Sequence, residues 1–557
     1  MERLLNLKGL VKRDGNFGRK DSMKKSIITV FLIGSSLMWG LFLFATAPVP
    51  DAARPGFDAI QPESMKAILK FLAADELEGR DTGHRGLNIA AKFLESQYRI
   101  AGLTPAPGRS SMHQSFSIRE SKFDSLTALT ILSPKRKTPV HFSMFRDFVA
   151  VGHLRDNRSI DAPVVFAGYG FTEPNGVYDD FKGVQPEGKI LLMLSGKPRI
   201  DDSLGVKKFS ITPAAFRDGR MKSATAKNVG AAGVLVVNDR LISHDDRLTR
   251  RWLNRVSVKL AEDPDDLPLI YITSRVADSL LAASGRTVKG LQVKILEKQA
   301  PQSFEIKKTK VVVDLKVNAE IKTTQNVVAY LEGSDPVLKD EVVAFGAHYD
   351  HVGVDESGDA FNGADDDGSG TTGMLEIAGA FARNPERPKR SLLFVSHTGE
   401  EKGLLGSRYY TEHPLIPLEK TVTQLNMDMI GRNDSNSVYI IGSDFLSQEL
   451  HQINLAADDV IGLNFDYTYN TESDPNRFYY RSDHYNYAKH GIPIIFYFSG
   501  VHEDYHRVTD TVEKINFDKM ARIARLVYLT GWNVANRESR PKVDRRSDIT
   551  VEEEIER

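Results

Sequence analysis

Cysteine is missing from the sequence altogether. That excludes disulfides, thiolate-bound metals and a cysteine nucleophile, and leaves His, Asp and Glu as the strong metal ligands. It says nothing about redox compartment, because a disulfide-free protein can exist in any of them. Excess charge of either sign is missing too: 73 Lys and Arg face 74 Asp and Glu, a net charge of −1. No electrostatic footprint for nucleic acid or an acidic membrane surface follows from that balance. No internal repeat is visible. What is present is an ordinary folded composition, with 41% hydrophobic and 26% charged residues. At 557 residues the chain is too long for one core, so two or three domains are expected.

The N-terminus speaks to location. Met23-Lys24-Lys25 precedes an apolar run from Ser26 to Phe44, which ends at Ala45-Thr46-Ala47. A basic start, an apolar middle and a small-x-small end are the parts of a secretory signal. The run approaches the ~20 residues that span a bilayer, so a retained anchor is the alternative. Either way the protein is expected to be exported, to a periplasmic or extracellular location, with a membrane as partner only if the segment stays. Residues 1–22 are polar and basic, which fits a translation start at Met23.

Apolar periodicity predicts helices from Pro62 and over Arg85 to Leu103, separated by the polar loop Asp75 to Gly86, whose His84 reads as a surface residue. Between about 156 and 300 short β-runs alternate with Gly, Pro and Asp turns, as in Pro163-Val-Val-Phe, Gly188-Lys-Ile-Leu-Leu-Met-Leu and Gly233-Val-Leu-Val-Val. From Asn326 onward apolar strands and helices alternate, which predicts a mixed, mostly parallel α/β sheet with helices on both faces. The expected organisation is therefore an extension with a signal or anchor (1–47), a first part of the main domain (54–155), an inserted small, mostly-β domain (156–300), the rest of the main domain (301–540) and a charged tail (541–557).

Five loops beyond strand ends of that region carry acids or histidines. They hold His348 and Asp350; the triplet Asp365-Asp366-Asp367 within Asn362 to Gly370; Glu400-Glu401; Asp428; and His506. Ligands in loops past the carboxyl ends of strands fit the usual place of α/β sites. Two divalent ions ~3.5–4 Å apart need one bridging carboxylate and a similar ligand set on each side. His348 and Asp428 suit one ion, Glu401 and His506 the other, with Asp366 between them. Imidazole plus carboxylate without sulfur favours two Zn2+, with Co2+ or Mn2+ as substitutes.

The motifs His348-Tyr-Asp350, Gly363-Ala-Asp-Asp-Asp-Gly-Ser-Gly370, Thr398-Gly-Glu400-Glu401-Lys-Gly-Leu-Leu-Gly-Ser407, Asn426-Met-Asp428 and Tyr505-His506 resemble the co-catalytic di-zinc aminopeptidases. That group includes leucyl-type aminopeptidases, aminopeptidase Y and glutamate carboxypeptidase II. The insert, with Tyr178-Asp-Asp-Phe-Lys-Gly-Val, resembles the protease-associated domain that many of them carry. The resemblance implies a di-zinc exopeptidase fold. It implies His348, Asp366, Glu401, Asp428 and His506 as metal ligands, Asp366 as the bridge, and a cis peptide after it. It further implies Glu400 as general base for a metal-bridging hydroxide, Asp350 as the residue orienting His348, and a peptide cut at its N-terminal residue. Alternation in an extended segment lets Glu401 face the metal and Glu400 the water. Tyr505 reads either as a donor to the developing oxyanion or as a packing residue.

Asp365 and Asp367 read as turn residues. His351, His397 and His502 read as packing or solvent-facing, and His484 as a residue supporting the site. Arg432 reads as a structural ion pair, or as a reader of a substrate carboxylate. Other functions stay open at this point: a glutamate-carboxypeptidase-like exopeptidase, a single-zinc glutaminyl cyclase, or an inactive binding protein on the same scaffold. The insert is expected to act as a lid.

Overall fold

A computed structural model describes residues 48–133, 138–173, 176–201, 208–212, 218–240 and 256–545. The signal or anchor reading falls on residues 1–47, outside the described residues, as does most of the tail. Among the described residues, no helix is long and apolar enough to cross a membrane.

Among the described residues, nine strands form the main sheet: β1 (His113–Phe123), β2 (Ser257–Leu260), β3 (Val317–Leu331), β4 (Val342–His348), β5 (Ser391–His397), β6 (Thr421–Met427), β7 (Ser437–Ile441), β8 (Asn464–Asp466) and β9 (Ile494–Phe498). Their order across the sheet is β2-β1-β3-β5-β4-β6-β9-β7-β8. The centre β5-β4-β6-β9 is parallel, and β2-β1-β3-β5 on one side is antiparallel. Beyond β9, β7 is antiparallel and β8 parallel to β7. Strands β4, β5 and β6 are buried along their whole length; β4 and the Leu392–Val395 stretch of β5 read as apolar runs for that reason, while β6 buries Thr421, Thr423, Gln424 and Asn426 between its apolar residues.

Helices cover both faces. Alternate residues Val343, Phe345 and Ala347 of β4 join one core with α1 (Pro62–Leu72), α2 (Arg85–Ile100), α3 (Gly368–Arg383), α5 (Gln448–Ile461) and α7 (Phe517–Asn536). Leu393 and Val395 of β5 point the other way, toward Tyr410 of α4 (Leu405–Glu412) and Tyr485 and Tyr487 of α6 (His484–Ala488). The period of two along each strand puts the two sets on opposite faces.

A second sheet holds eight strands, in the order Val140–Ser143, Ala128–Leu132, Phe304–Leu315, Arg158–Phe166, Ile190–Leu194, Gly233–Val237, Leu269–Ile272, Phe148–Val151. It takes in strands on both sides of 156–300 and carries the helices Asp218–Asn228, Ser274–Leu281 and Val288–Lys298. Its middle is parallel. The chain passes between the sheets where β1 leads through 124–127 into Ala128–Leu132 and where Phe304–Leu315 runs into β3 with only Lys316 between; β2 crosses over to pair with β1.

Candidate metal centre

Each parallel strand of the main sheet delivers a polar side chain at its carboxyl end. Strand β4 ends on His348, the loop after β5 carries Glu400 and Glu401, β6 runs into Asp428, and the loop after β9 carries His506. Asp366 arrives from the glycine-bounded loop that opens α3. That helix starts on Asp367, whose carboxylate accepts from Gly370 N at 2.8 Å and so caps it. Gly370 is required there, because a Cβ would run into the Asp367 carboxylate and the Met427 carbonyl oxygen. The Asp366–Asp367 peptide is cis. Met429 and His506, flanking the site, both take left-handed backbone with φ of 55°, a conformation that non-glycine residues hold mainly where the surroundings impose it.

Asp366 sits at the centre with its two oxygens facing opposite sets. Oδ1 lies 3.4 Å from His348 Nε2, and Oδ2 lies 3.0 Å from His506 Nε2. His348 Nε2 is also 3.6 Å from Asp428 Oδ1, and His506 Nε2 is 3.1 Å from Glu401 Oε1. His351 joins the second set, its Nδ1 2.9 Å from Glu401 Oε1. It is fully buried there, which agrees with a packed rather than a solvent-facing residue. Nothing in the sequence marks it, since a loop histidine carries no periodicity.

His348 Nε2, both nitrogens of His351, Asp366 Oδ2, Glu401 Oε1 and His506 Nε2 are buried without a hydrogen-bond partner. Buried polar atoms in native proteins are almost always paired, and leaving one unpaired costs about 1–3 kcal/mol. Of these residues, His351, Asp366, Glu401 and His506 bring one ligand atom each within 4.8 Å of one another, a set that could hold a divalent metal, and nitrogen with oxygen ligands fits zinc. Asp367 also lies within range of His348 and Asp428. Its oxygens, however, accept from Gly370 N, Met429 N and His348 N, so it builds the loop.

The surroundings tune these groups. Burial pushes the Glu400 carboxyl well above its ordinary range against the pull of His348, with Glu401 and Asp428 adding to the rise. Glu401 goes the other way: against burial and the Asp366 charge, His351 and His506 hold it at about 2. His348 Nδ1 lies 3.2 Å from the Asp350 main-chain oxygen and 3.7 Å from its Oδ1. The Asp350 carboxylate itself accepts from Glu400 N at 3.2 Å and from Thr82 Oγ1 at 2.9 Å, so it is tied to the Glu400 backbone as well as to His348.

The other residues singled out lie around this centre. Asp365 accepts from Gly431 N and faces His502 at 3.3 Å. Arg432 pairs with Asp504 at 2.8 Å, a structural ion pair. His397 is buried beside the Tyr487 hydroxyl, and His484 Nε2 lies 2.8 Å from the Tyr479 carbonyl oxygen. His84 is half-exposed beside Glu120. Tyr505 stacks on His506 with ring centroids 3.9 Å apart.

Asp366, Glu400 and Asp428 open onto a cavity of about 30 Å³ whose other walls include Met429, Phe478, Phe496 and Phe498. Phe478, Arg481, Val501 and Tyr505 line both it and a larger one of about 650 Å³. All wall residues of the two cavities fall between 366 and 519.

Comparison with known proteins adds to this geometry. Residues 326–530 match the profile of Peptidase family M28; the match does not extend over the second sheet. The chain is 32% identical over 209 residues to a probable leucine aminopeptidase of Trichophyton verrucosum, covering 36% of this chain and 56% of the relative. It is 27% identical over 230 residues to the aminopeptidase YwaD of Bacillus subtilis, covering 40% and 47%. The chain thus spans about half the length of the curated relatives it matches. The structure of an aminopeptidase from Aneurinibacillus sp. strain AM-1 shares the fold, with a TM-score of 0.52 at 19% identity over 89% of this chain and 100% of that one.

Proposed function

We propose that this protein is an exported zinc-dependent aminopeptidase that removes N-terminal residues from peptides. The observation that carries the proposal is Asp366, whose two oxygens face His348 on one side and His506 on the other, inside a set of buried, unpartnered ligand atoms. In this reading His348, Asp366 and Asp428 hold one zinc ion, and Asp366, Glu401 and His506 hold the other. The names of the relatives point the same way. Export rests on the Met23 to Ala47 pattern, and the protease-associated reading of the second sheet on its resemblance alone.

Bound zinc would lower the pKa of a water and polarise the scissile carbonyl. The chain's own residues do the rest. Glu400 takes a proton from the attacking water, whose oxygen adds to the carbonyl carbon. As the C–N bond breaks, Glu400 returns that proton to the leaving amine. The raised proton affinity of its carboxyl suits a group that must accept and then release a proton. Asp350 holds the Glu400 backbone in place, and Tyr505, at the cavity wall, donates to the oxyanion. Phe478 and Val501, which line both cavities, would meet the apolar part of the first residue, whose side chain needs the room of the larger one.

The test is a panel of aminoacyl-p-nitroanilides beside N-acetylated and C-terminal-probe peptides, with metal content measured before and after chelation. Cleavage of free-amine substrates alone, restored by about two zinc ions per chain, is the expected result. Cleavage only of blocked or C-terminal substrates would transfer the site to the carboxypeptidase alternative. Protein without metal or activity would refute the proposal.

A further inference from the structure

We propose that the loop 75–84, far from the M28 segment in sequence, is a positioning element for the metal centre. It acts through Arg80, Thr82 and the Asp81–Lys402 pair, which hold the loops that carry His348, Asp366 and Glu401. The proposal rests on the metal reading above and extends it to a segment that the family match leaves out.

Arg80 is 1% exposed, and its guanidinium reaches main-chain carbonyls on three separate stretches. Nε donates to Tyr349 O at 2.8 Å; Nη1 donates to Asn362 O at 2.7 Å and to Leu72 O; Nη2 donates to Gly363 O at 2.9 Å. Tyr349 follows His348 directly, and Asn362-Gly363 leads into Asp366. One rigid planar group therefore sets the spacing between the two loops that bring a histidine and its bridging carboxylate together, which the flexible point charge of a lysine cannot do. Burial weakens the charged form of this guanidinium, and Asp350, Asp366 and Asp367 around it offset only part of that cost.

Thr82 adds a second hold. Its hydroxyl donates to Asp350 Oδ2 at 2.9 Å while Glu400 N donates to Oδ1, so the carboxylate beside His348 cannot turn. Asp81 pairs with Lys402 at 2.7 Å, one residue from Glu401. The backbone is joined as well: His351 N donates to Arg80 O at 3.2 Å and Gly353 N to Gly79 O at 3.1 Å, with a parallel bridge between Asp81 and His351. The approach is so close that a Cβ at Gly79, where φ is 62°, would overlap the Gly353 carbonyl.

A loop that merely covered the sheet would need no more than the backbone pairing. Here side-chain hydrogen bonds end on Tyr349, Asp350, Gly363 and Lys402, each within three residues of a ligand position. Groups that support metal ligands in this way typically change metal affinity 10–100-fold when removed.

The experiment uses the full chain and three variants. Thr82→Val removes one donor at constant shape, and Arg80→Lys keeps the charge but not the fork. Thr423→Val removes a comparable buried hydrogen bond, to Pro493 O, away from the centre. Zinc affinity is measured by chelator competition, the visible spectrum is recorded after cobalt substitution, and thermal midpoints are taken on metal-free protein. The expected result is a loss of zinc affinity of about 10–100-fold with an altered cobalt band in Thr82→Val and Arg80→Lys, while Thr423→Val lowers the midpoint and keeps both. If Arg80→Lys does not fold, Thr82→Val decides. Wild-type affinity and spectrum in the loop variants, with zinc bound by the wild type, overturn the positioning role alone. A wild-type protein that takes up no zinc overturns the metal reading and this inference with it.

Discussion

Replacing Glu400 separates binding from chemistry. Its carboxylate borders the small cavity, with Oε2 3.9 Å from His348 Nε2, and its backbone is tied to Asp350. Glu400→Gln keeps the volume and the backbone bond and removes only the ability to carry a proton. A positioned acid–base group contributes about 10²–10⁴-fold, so kcat should fall by that factor, a barrier increase of about 3–5 kcal/mol. KM should hardly move, because ground-state binding is untouched. Glu400→Asp tests the geometry: it keeps the acid but withdraws it by one C–C bond, about 1.5 Å. Misplacement by ~1 Å costs on the order of 10²-fold, so this variant should also lose about two decades although its chemistry is intact. The assay is p-nitroanilide release at saturating substrate, with zinc per chain determined on the same samples. A Gln variant within tenfold of wild type at full metal content would falsify the base assignment. Loss of one zinc from it would make Glu400 a ligand instead.

Two further outcomes follow from the site and its surroundings. If each zinc ion is present at about 100-fold above its Kd, each stabilises by about 2.7 kcal/mol. At ~2–4 °C per kcal/mol, chelation should lower the calorimetric midpoint by on the order of 10–20 °C, and an unchanged midpoint would contradict a tight two-ion site. His397 supplies a pH dependence: burial, and after it the charge of His348, hold its pKa at about 3, against ~6.5 in an unfolded chain. Because the folded pKa is depressed, the unfolded state takes up the proton first. Stability is therefore whole above pH ~6.5 and is lost as pH falls toward 3, by about 2 kcal/mol between pH 7 and 5. Urea midpoints at those two pH values should differ less in His397→Gln than in wild type; an equal difference would mean that His397 does not titrate this way.

The centre of the fold was readable because its strands are buried on both faces. Val342 to Ala347 and Leu392 to Val395 are unbroken apolar runs, and each leads into a loop that carries candidate ligands. Where one face meets water the signal fades. Strand β1, with the pattern Ser-Phe-Ser-Ile-Arg-Glu-Ser-Lys, and the first half of β3, with five fully or partly exposed positions from Val317 to Ile321, look like loop in a window of residues. The strands Ala128–Leu132, Val140–Ser143 and Phe304–Leu315 belong to the second sheet but carry no composition that separates them from their neighbours. Asp366, Glu401 and Asp428 stood out as acids just beyond apolar strands. The proposed contribution of Arg80 did not, because all its partners but Leu72 O are main-chain oxygens some 270 to 280 residues away, and a main-chain oxygen leaves no trace in the residue type that bears it.

Strand β2 bears on how the second sheet can be dissected. A deletion of residues 160–300 would cut through the second sheet and also strip Ser257–Leu260 from the flank of β1, leaving Ile118 to Ser121 with unpaired main-chain groups. An uncovered strand edge is a template for another chain. Such a truncated protein is expected to self-associate, and any change in its selectivity would then report on clumped material rather than on a missing cover. A cleaner excision keeps β2 as a grafted strip on β1 and closes the chain elsewhere.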